Sequence, residues 1–217
     1  MPDSRQKVET MRIAVFGATG SIGTATVNEA LARGHRVTAI VRTPRDLPPS
    51  AEPRIGDATD ASAVRTLIDH DVVISATRPP HGQEDALLHA ADTLLSTLAG
   101  TNVRLLLVGG AATLRIPGTT RTVLQSPHVD DSFRAIAEAC AGQHARCLSD
   151  SRTDWTYVSP PAVLTDGPRT GRYRLGTDEL VVDPAGDSTI SIADLAVALV
   201  DEAERPKHTR ARFTVGY

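Results

Sequence analysis

Residues 15–25 read VFGATGSIGTA, with glycines at positions 17, 20 and 23. The run follows an apolar stretch typical of a strand and precedes a stretch with helical spacing. At such a junction Gly17 suits a tight turn, Gly20 lets the backbone approach a pyrophosphate, and Gly23 lets helix and strand pack closely. The N–H groups at the start of the helix then face the phosphates. The spacing in this context predicts a nucleotide-binding loop, with a tight turn that holds no ligand as the alternative. The residues predicted to contact the nucleotide here are Gly17, Thr19, Gly20, Ser21 and Ile22.

The rest of the chain alternates short apolar runs with helical patterns, which is typical of a doubly wound α/β fold. The predicted strands are residues 12–17, 36–41, 54–58, 71–76, 103–110 and 155–160. Because most of these runs are apolar along their whole length, we expect a mostly parallel, Rossmann-type sheet with helices on both faces. The predicted helices include one that Gly34 stops, one with the apolar face Val64, Leu67 and Ile68, one closed by Gly100, one over about 131–147, and one from the capping box at 191–194 to before Pro206.

The pattern predicts a single domain over residues 11–217, preceded by a flexible N-terminal extension over residues 1–10. The stretch from about 163 to 189 is rich in Gly, Pro and Asp. We expect it to form a small irregular cap over one end of the sheet, on the substrate side.

The composition limits the classes of partner. The 217 residues carry a net charge of -3, which argues against nucleic acid as the main partner. No apolar run approaches the roughly 20 residues of a membrane span, and the polar start lacks a secretory signal, so we expect a cytoplasmic protein. Cys140 and Cys147 favour buried structural thiols over a redox pair, and no ligand spacing predicts a metal. We therefore expect a small-molecule partner, and leave open whether the chain forms a homodimer.

The choice of nucleotide depends on the end of the second predicted strand. An NAD site places an Asp or Glu there, about 20 residues after the glycines, to bond the ribose 2′-hydroxyl. This chain has Arg42 and Arg45 instead, and its first acid is Asp46. Guanidinium groups suit a 2′-phosphate. We therefore expect NADP(H) to be preferred over NAD(H), with two solvated surface arginines as the alternative.

Further cofactor contacts are expected at the carboxyl ends of the other strands, because open α/β sheets bind ligands there. Asp57 is placed to bond the adenine amino group, next to Ala58. The remaining predicted contacts are Ala76, Thr77 and Arg78 beside the ribose and phosphates, Gly109, Gly110 and Ala111 at the nicotinamide ribose, and Ser159, Pro160 and Pro161 at the nicotinamide ring.

The lysine content excludes one common chemistry. The glycine spacing and layout are similar to those of the short-chain dehydrogenase superfamily, which usually carries a Tyr-x-x-x-Lys pair as its acid–base group. Of the 23 basic residues here only Lys7 and Lys207 are lysines, and neither lies four residues after a tyrosine. Alcohol dehydrogenation by that pair is therefore not expected.

Longer motifs narrow the resemblance. The segments ISATRPPHG, LLVGGAATL, DWTYVSPPAVLTDGPRTGRYRLG and RFTVGY resemble the bacterial NADH-flavin reductase group, which belongs to the atypical short-chain dehydrogenases with an NmrA-like layout. A more distant likeness is to biliverdin-IXβ reductases, which also reduce flavins. The resemblance implies an oxidoreductase that passes a hydride from NADPH to a flavin (FMN or FAD) or a similar flat acceptor. It implies a flavin that binds as a substrate, not as a prosthetic group.

An apolar slot above the nicotinamide would serve such an acceptor, because the reduced flavin can take its proton from water. The predicted substrate contacts are Arg78, His81, Leu114, Ser132 and Val163. The resembling proteins often have a serine at the place of Thr113, whose hydroxyl could bond a flavin carbonyl or help deliver a proton as a catalytic group. It could equally cap the loop after the fifth strand. For His81 an ordinary exposed histidine is the alternative.

Two other functions stay open at this point. One is a pathway-specific ketone reductase or isomerase that acts on a natural product. The other is an NmrA-like regulatory protein that senses NADP without turnover.

Overall fold

The computed structural model describes residues 9–127 and 129–217. Its strands are β1 Arg12–Phe16, β2 Arg36–Val41, β3 Glu52–Ile55, β4 Val72–Ser75, β5 Arg104–Val108, β6 Asp154–Ser159, β7 Val163–Thr165, β8 Arg174–Gly176, β9 Thr189–Ser191 and β10 Ala211–Gly216. Its helices are α1 Ser21–Ala32, α2 Ala61–Arg65, α3 Asp85–Leu98, α4 Asp131–Ser149 and α5 Ile192–Glu204.

Eight of these strands form one sheet in the order β3-β2-β1-β4-β5-β6-β10-β8. The pairs from β3 to β10 are parallel, and only β8 runs antiparallel to its neighbour. The strand order reverses between β1 and β4, which is where open α/β sheets bind ligands at the carboxyl edge. The predicted Rossmann-type α/β fold is confirmed.

Helices cover both faces because the central strands bury side chains on both sides. Ile13 and Val15 of β1 belong to the core that contains the apolar residues of α1 and α5. Ala14 and Phe16 belong to the opposite core, with α2 and α3. This is the burial that continuous apolar strands predict.

The structure differs from the sequence prediction in its second half. The strands β8 and β10 were not among the predicted strands, and the cap is not wholly irregular, because β7 and β9 pair in parallel within it. The outer strand lies at Glu52–Ile55, earlier than predicted, since its residues pair with Thr38–Val41 of β2. In the second helix Ile68 is exposed, not part of an apolar face, because α2 ends at Arg65.

The predicted extension over residues 1–10 falls outside the described residues up to position 8. Its flexibility and the domain boundary at residue 11 stay predictions. Among the described helices none is long and apolar enough to cross a membrane.

Candidate functional site

The glycine loop forms the turn between β1 and α1. Gly17 has a φ of +73°, and a Cβ there would lie 2.5 Å from the Ala76 carbonyl oxygen. A Cβ on Gly23 would lie 2.0 Å from the carbonyl oxygen of Gly17. Packing therefore requires glycine at both positions. At Gly20 the nearest atom to a Cβ is the Gly17 oxygen at 3.3 Å, so this side of the loop is otherwise open.

The start of α1 has backbone donors that no side chain caps. Its N-cap residue is Gly20, and its first turn contains no acidic residue. By contrast, Asp60, Asp130 and Ser191 each cap the start of a helix with a side-chain hydrogen bond. The first N–H groups of a helix lack intrahelical partners and, with the helix dipole, favour an anion. The start of α1 is therefore suited to hold a phosphate.

A cleft with a volume of about 430 Å³ opens at the carboxyl ends of β1, β2 and β4. Many of the predicted cofactor contacts line it, namely Gly17, Thr19, Gly20, Ser21, Ile22, Arg42, Asp57, Ala58, Ala76, Thr77 and Arg78. The other residues along it are Phe16, Ile40, Val41, Gly56, Thr59, Pro79, Pro80, Gln83, Ala86, Leu87, Ala90 and Leu164. The structure thus brings the glycine loop, which follows β1, together with the ends of the two neighbouring strands β2 and β4.

The charge of the cleft is positive. Arg42 and Arg78 are exposed, and neither forms an ion pair or hydrogen bond with another residue of the described chain. The Asp57 carboxylate already accepts hydrogen bonds at Oδ1 from the Thr59 amide, at 2.9 Å, and from the Thr59 hydroxyl, at 2.7 Å. Two unpaired guanidinium groups against one carboxylate favour a phosphorylated ligand. The residues therefore fit a dinucleotide.

The predicted contacts at the ends of β5 and β6 do not line this cleft. Gly109, Gly110 and Ala111 are half-buried, while Ser159, Pro160 and Pro161 are buried. A Cβ on Gly109 would lie 1.8 Å from the hydroxyl oxygen of Tyr157, so packing alone requires glycine there. The buried Ser159 hydroxyl has no hydrogen-bond partner among the described residues. The roles predicted for these residues remain predictions.

Several predicted substrate residues lie elsewhere. Leu114 differs most from its prediction: its side chain is 0% exposed, so it packs in the interior and does not face an open slot. The His81 side chain is 84% exposed and lies 3.2 Å from Glu84. Val163 is 50% exposed in β7, and Ser132 donates its amide to the Asp130 cap. His81, Val163 and Ser132 are thus accessible, although none of the three lines the cleft.

Thr113 and Arg45 also lie outside the cleft lining. The Thr113 hydroxyl oxygen accepts a hydrogen bond from Nη1 of Arg212 at 2.6 Å. The hydroxyl proton stays available to a further acceptor, so a catalytic part for Thr113 remains a prediction. Arg45 is exposed, beyond the end of β2.

None of the tyrosines lines the cleft. Tyr157 is buried and donates its hydroxyl to the Cys140 carbonyl at 2.8 Å, and burial raises the pKa of its phenol well above its usual value. Burial, followed by a hydrogen bond to Asp201, likewise raises the pKa of Tyr173. Tyr217 donates to Asp194 at 2.7 Å. All three hydroxyls form hydrogen bonds within the protein, outside the cleft.

Both cysteines are free and buried. Burial raises the pKa of the Cys140 thiol to about 11 and that of Cys147 to about 12. Both are therefore protonated and unreactive at neutral pH, as expected for structural thiols.

Sequence reasoning missed one whole wall of the cleft. Ala86, Leu87 and Ala90 come from the start of α3, and Gln83 lies just before that helix. Their spacing of three and four residues marks one helix face, and the small side chains at 86 and 90 are the signal that could have indicated it. Leu164 carries no comparable local signal.

The glycine turn, the uncapped helix and the cleft at the strand-order reversal define a dinucleotide-binding protein of the Rossmann type. The chain belongs to the NAD(P)H-binding family, whose family model matches residues 17–206. This assignment confirms the predicted nicotinamide cofactor and leaves the preference for NADP(H) as a prediction.

Three relatives cover nearly the whole chain. The uncharacterised protein YwnB of Bacillus subtilis is 34% identical over 209 residues, which span 94% of this chain and 98% of that protein. A Streptococcus pneumoniae structure named a "putative NADH-flavin reductase" is 34% identical, with a TM-score of 0.85 over 95% of this chain and 99% of that one. A Bacteroides thetaiotaomicron structure named a "putative epimerase" is 36% identical, with a TM-score of 0.86 over 96% and 98%.

Proposed function

We propose that the protein is an NADPH-dependent reductase of flavins or of similar flat, conjugated acceptors. The observation that carries this proposal is the composition of the cleft. Among the described residues that line it, the ionisable ones are Arg42, Asp57 and Arg78. Two of these suit phosphates, and the third is engaged with Thr59. The cleft therefore offers a nucleotide site without an acid–base pair.

Flavin reduction needs little more from the protein than placement. When bound, the reduced nicotinamide supplies a hydride, and the flavin takes the hydride together with a proton from water. The start of α1 holds the pyrophosphate, and the walls of the cleft orient the nucleotide for transfer. Such orientation contributes a large part of the rate in reactions between two bound rings.

The preference for NADPH rests on Arg42. Its guanidinium lies at the end of β2, where an NAD site has a carboxylate, and it has no ion-pair partner in the described chain. A free guanidinium forms charge-assisted, bidentate hydrogen bonds with a phosphate. Arg45 lies outside the cleft and serves as its matched control.

The relatives support the reductase and also point to a competitor. The Streptococcus pneumoniae protein is named for NADH-flavin reduction, and the Bacteroides thetaiotaomicron protein for epimerisation. Epimerisation or ketone reduction needs a proton donor or base beside the reacting carbon. The described cleft lining contains no Tyr–Lys pair, and its one carboxylate, Asp57, is hydrogen-bonded to Thr59. This composition favours the flavin reductase.

The test is steady-state turnover without oxygen. Purified protein is mixed with NADPH and FMN, and the losses of NADPH and of oxidised flavin are followed together. We expect equal losses, much faster than without protein, and a higher KM for NADPH in Arg42→Ala than in Arg45→Ala. Tight NADPH binding without flavin reduction would overturn the proposal and favour an NADP sensor. Reduction of carbonyl compounds but not of flavins would overturn it in favour of a ketone reductase.

A further inference from the structure

One wall residue of the cleft comes from a distant part of the fold. Apart from Leu164, every described lining residue lies between positions 16 and 90. Leu164 belongs to β7, which follows β6, and β6 lies two strands beyond β4 in the sheet. Leu164 thus reaches the cleft from the half of the sheet opposite to Arg42. It packs against the same core as Ile22 and Ala76, two other lining residues.

Leu164 is held there by a strand pair. It is the register partner of Ile190 in the parallel pair of β7 and β9, and Ile190 is completely buried. Because β9 runs directly into α5, the position of Leu164 depends on the start of that helix.

A buried carboxylate joins the segments around this pair. The Asp194 side chain, near the start of α5, is buried, and its Oδ1 accepts hydrogen bonds from the amides of Thr170 and Gly171, both at 2.8 Å. Its Oδ2 accepts from the hydroxyls of Thr170, at 2.5 Å, and Tyr217, at 2.7 Å. This is a dense set of donors for one buried carboxylate.

Tyr217 ties this carboxylate to β9. Its hydroxyl oxygen accepts a hydrogen bond from the Ser191 amide at 3.2 Å, and its own amide donates to the Thr189 carbonyl at 3.0 Å. The Ser191 hydroxyl donates to the Pro168 carbonyl at 3.1 Å. Hydrogen bonds thus connect both the chain after β7 and strand β9 to the start of α5 and to Tyr217.

We propose that Leu164 contacts the nicotinamide end of bound NADPH, and that Asp194 and Tyr217 are positioning residues that hold it there. Arg42 follows β2 and Leu164 follows β6, on the other side of β1 and β4 in the sheet. With its 2′-phosphate at Arg42, a nucleotide that runs along the cleft brings its nicotinamide to the side of Leu164. The leucine side chain can pack against the nicotinamide ring, but it has no donor or charge with which to bind a phosphate. The inference rests on the nucleotide site of the proposed function and is independent of the acceptor.

The first test compares two ligands that differ by the nicotinamide alone. Leu164→Ala removes three side-chain carbons, and the loss of nicotinamide contact at one or two of them should weaken NADPH binding roughly fivefold to tenfold. It should leave the binding of 2′-phospho-ADP-ribose, measured by calorimetry, within about twofold, and Leu164→Val should show the same selectivity at smaller size. Arg42→Ala should weaken both ligands. Equal loss of both ligands in the Leu164 variants would overturn the assignment.

The second test asks whether Tyr217 acts through Leu164. Tyr217→Phe removes the hydroxyl at Asp194, and we expect it to weaken NADPH binding in the same selective way. The matched control is Tyr173→Phe, which removes a tyrosine hydrogen bond to Asp201 on the same helix without touching β9. In the double variant with Leu164→Ala, the Tyr217 effect on binding should largely disappear. A Tyr217 effect of full size in that background, or an equal effect of Tyr173→Phe, would refute the positioning role.

Because both tests read binding, they separate this inference from the reductase proposal. A protein that fails to reduce flavins but loses NADPH selectively in Leu164→Ala upholds the inference and refutes the proposed activity. A flavin reductase whose NADPH affinity is unchanged in Leu164→Ala refutes the inference alone.

Discussion

Alanine substitutions at Gly23 and Gly20 should have different effects: the first should reduce the stability of the fold, and the second should weaken NADPH binding. In Gly23→Ala the new Cβ would lie 2.0 Å from the Gly17 carbonyl oxygen and 2.7 Å from its carbon. Both are backbone atoms, so the turn itself must move. Overpacking costs about 1–3 kcal/mol and occasionally more, and a clash with fixed backbone belongs at the upper end. The gain of about 1 kcal/mol in helix propensity does not offset it, so we expect a net loss of about 2 kcal/mol or more in the free energy of unfolding.

Gly20→Ala should instead spare the fold and impair the site. Gly20 has a φ of -77°, which alanine adopts easily, and a single neighbour at 3.3 Å. We expect the free energy of unfolding to change by less than about 1 kcal/mol. Gly20 lines the cleft at the start of α1, so an added methyl group should keep the backbone from approaching the pyrophosphate and weaken NADPH binding at least about tenfold.

Urea unfolding and NADPH fluorescence titration of the two variants provide the measurement. A Gly23→Ala protein as stable as the parent would refute the packing argument. A Gly20→Ala protein that binds NADPH normally would refute the assignment of this loop to the pyrophosphate.

Free arginines and buried titratable groups lead to three more expectations. Arg42→Ala should weaken NADPH binding at least about tenfold and spare NADH, whereas Arg45→Ala changes neither; calorimetry that shows equal losses for both nucleotides would contradict the 2′-phosphate contact. Burial lowers the pKa of His144 from 6.5 to about 4, so the unfolded chain takes up this proton first as the pH falls. The free energy of unfolding should therefore fall by about 3 kcal/mol between pH 6.5 and 4. If it falls with the same slope against pH in His144→Gln, His144 is not the cause. Iodoacetamide at neutral pH should modify Cys140 and Cys147 only in urea, and a mass increase in the folded protein would contradict their raised pKa values.

The part of the site near the glycine loop could be predicted because its signals are local. A strand, a turn and a helix follow one another between positions 12 and 32, and each predicted contact lies directly after a strand. Since the carboxyl ends of parallel strands meet at one edge, Arg42 and Arg78 reach the same cleft although they are far apart in sequence.

The other part could not be predicted because it depends on contacts between distant segments. Leu164 reaches the cleft through its pairing with Ile190 and the hydrogen bonds of Asp194, and no spacing in the sequence marks these partners. Leu114 illustrates the reverse error. It is an apolar residue after β5 that was expected to face an open slot, but the following loop folds over it and buries it. The sequence shows that Leu114 is apolar, but it does not show which other segments of the chain pack against it.

The central claim is hydride transfer from bound NADPH to a flat acceptor, and single-turnover mixing tests it most directly. Protein loaded with NADPH, deuterated at either C4 position, is mixed with FMN in the absence of oxygen, and the loss of oxidised flavin is followed. The account predicts rapid loss of oxidised FMN that is slowed by deuterium at one C4 position only. FMN reduction no faster than in the protein-free solution, with NADPH still bound, would contradict it.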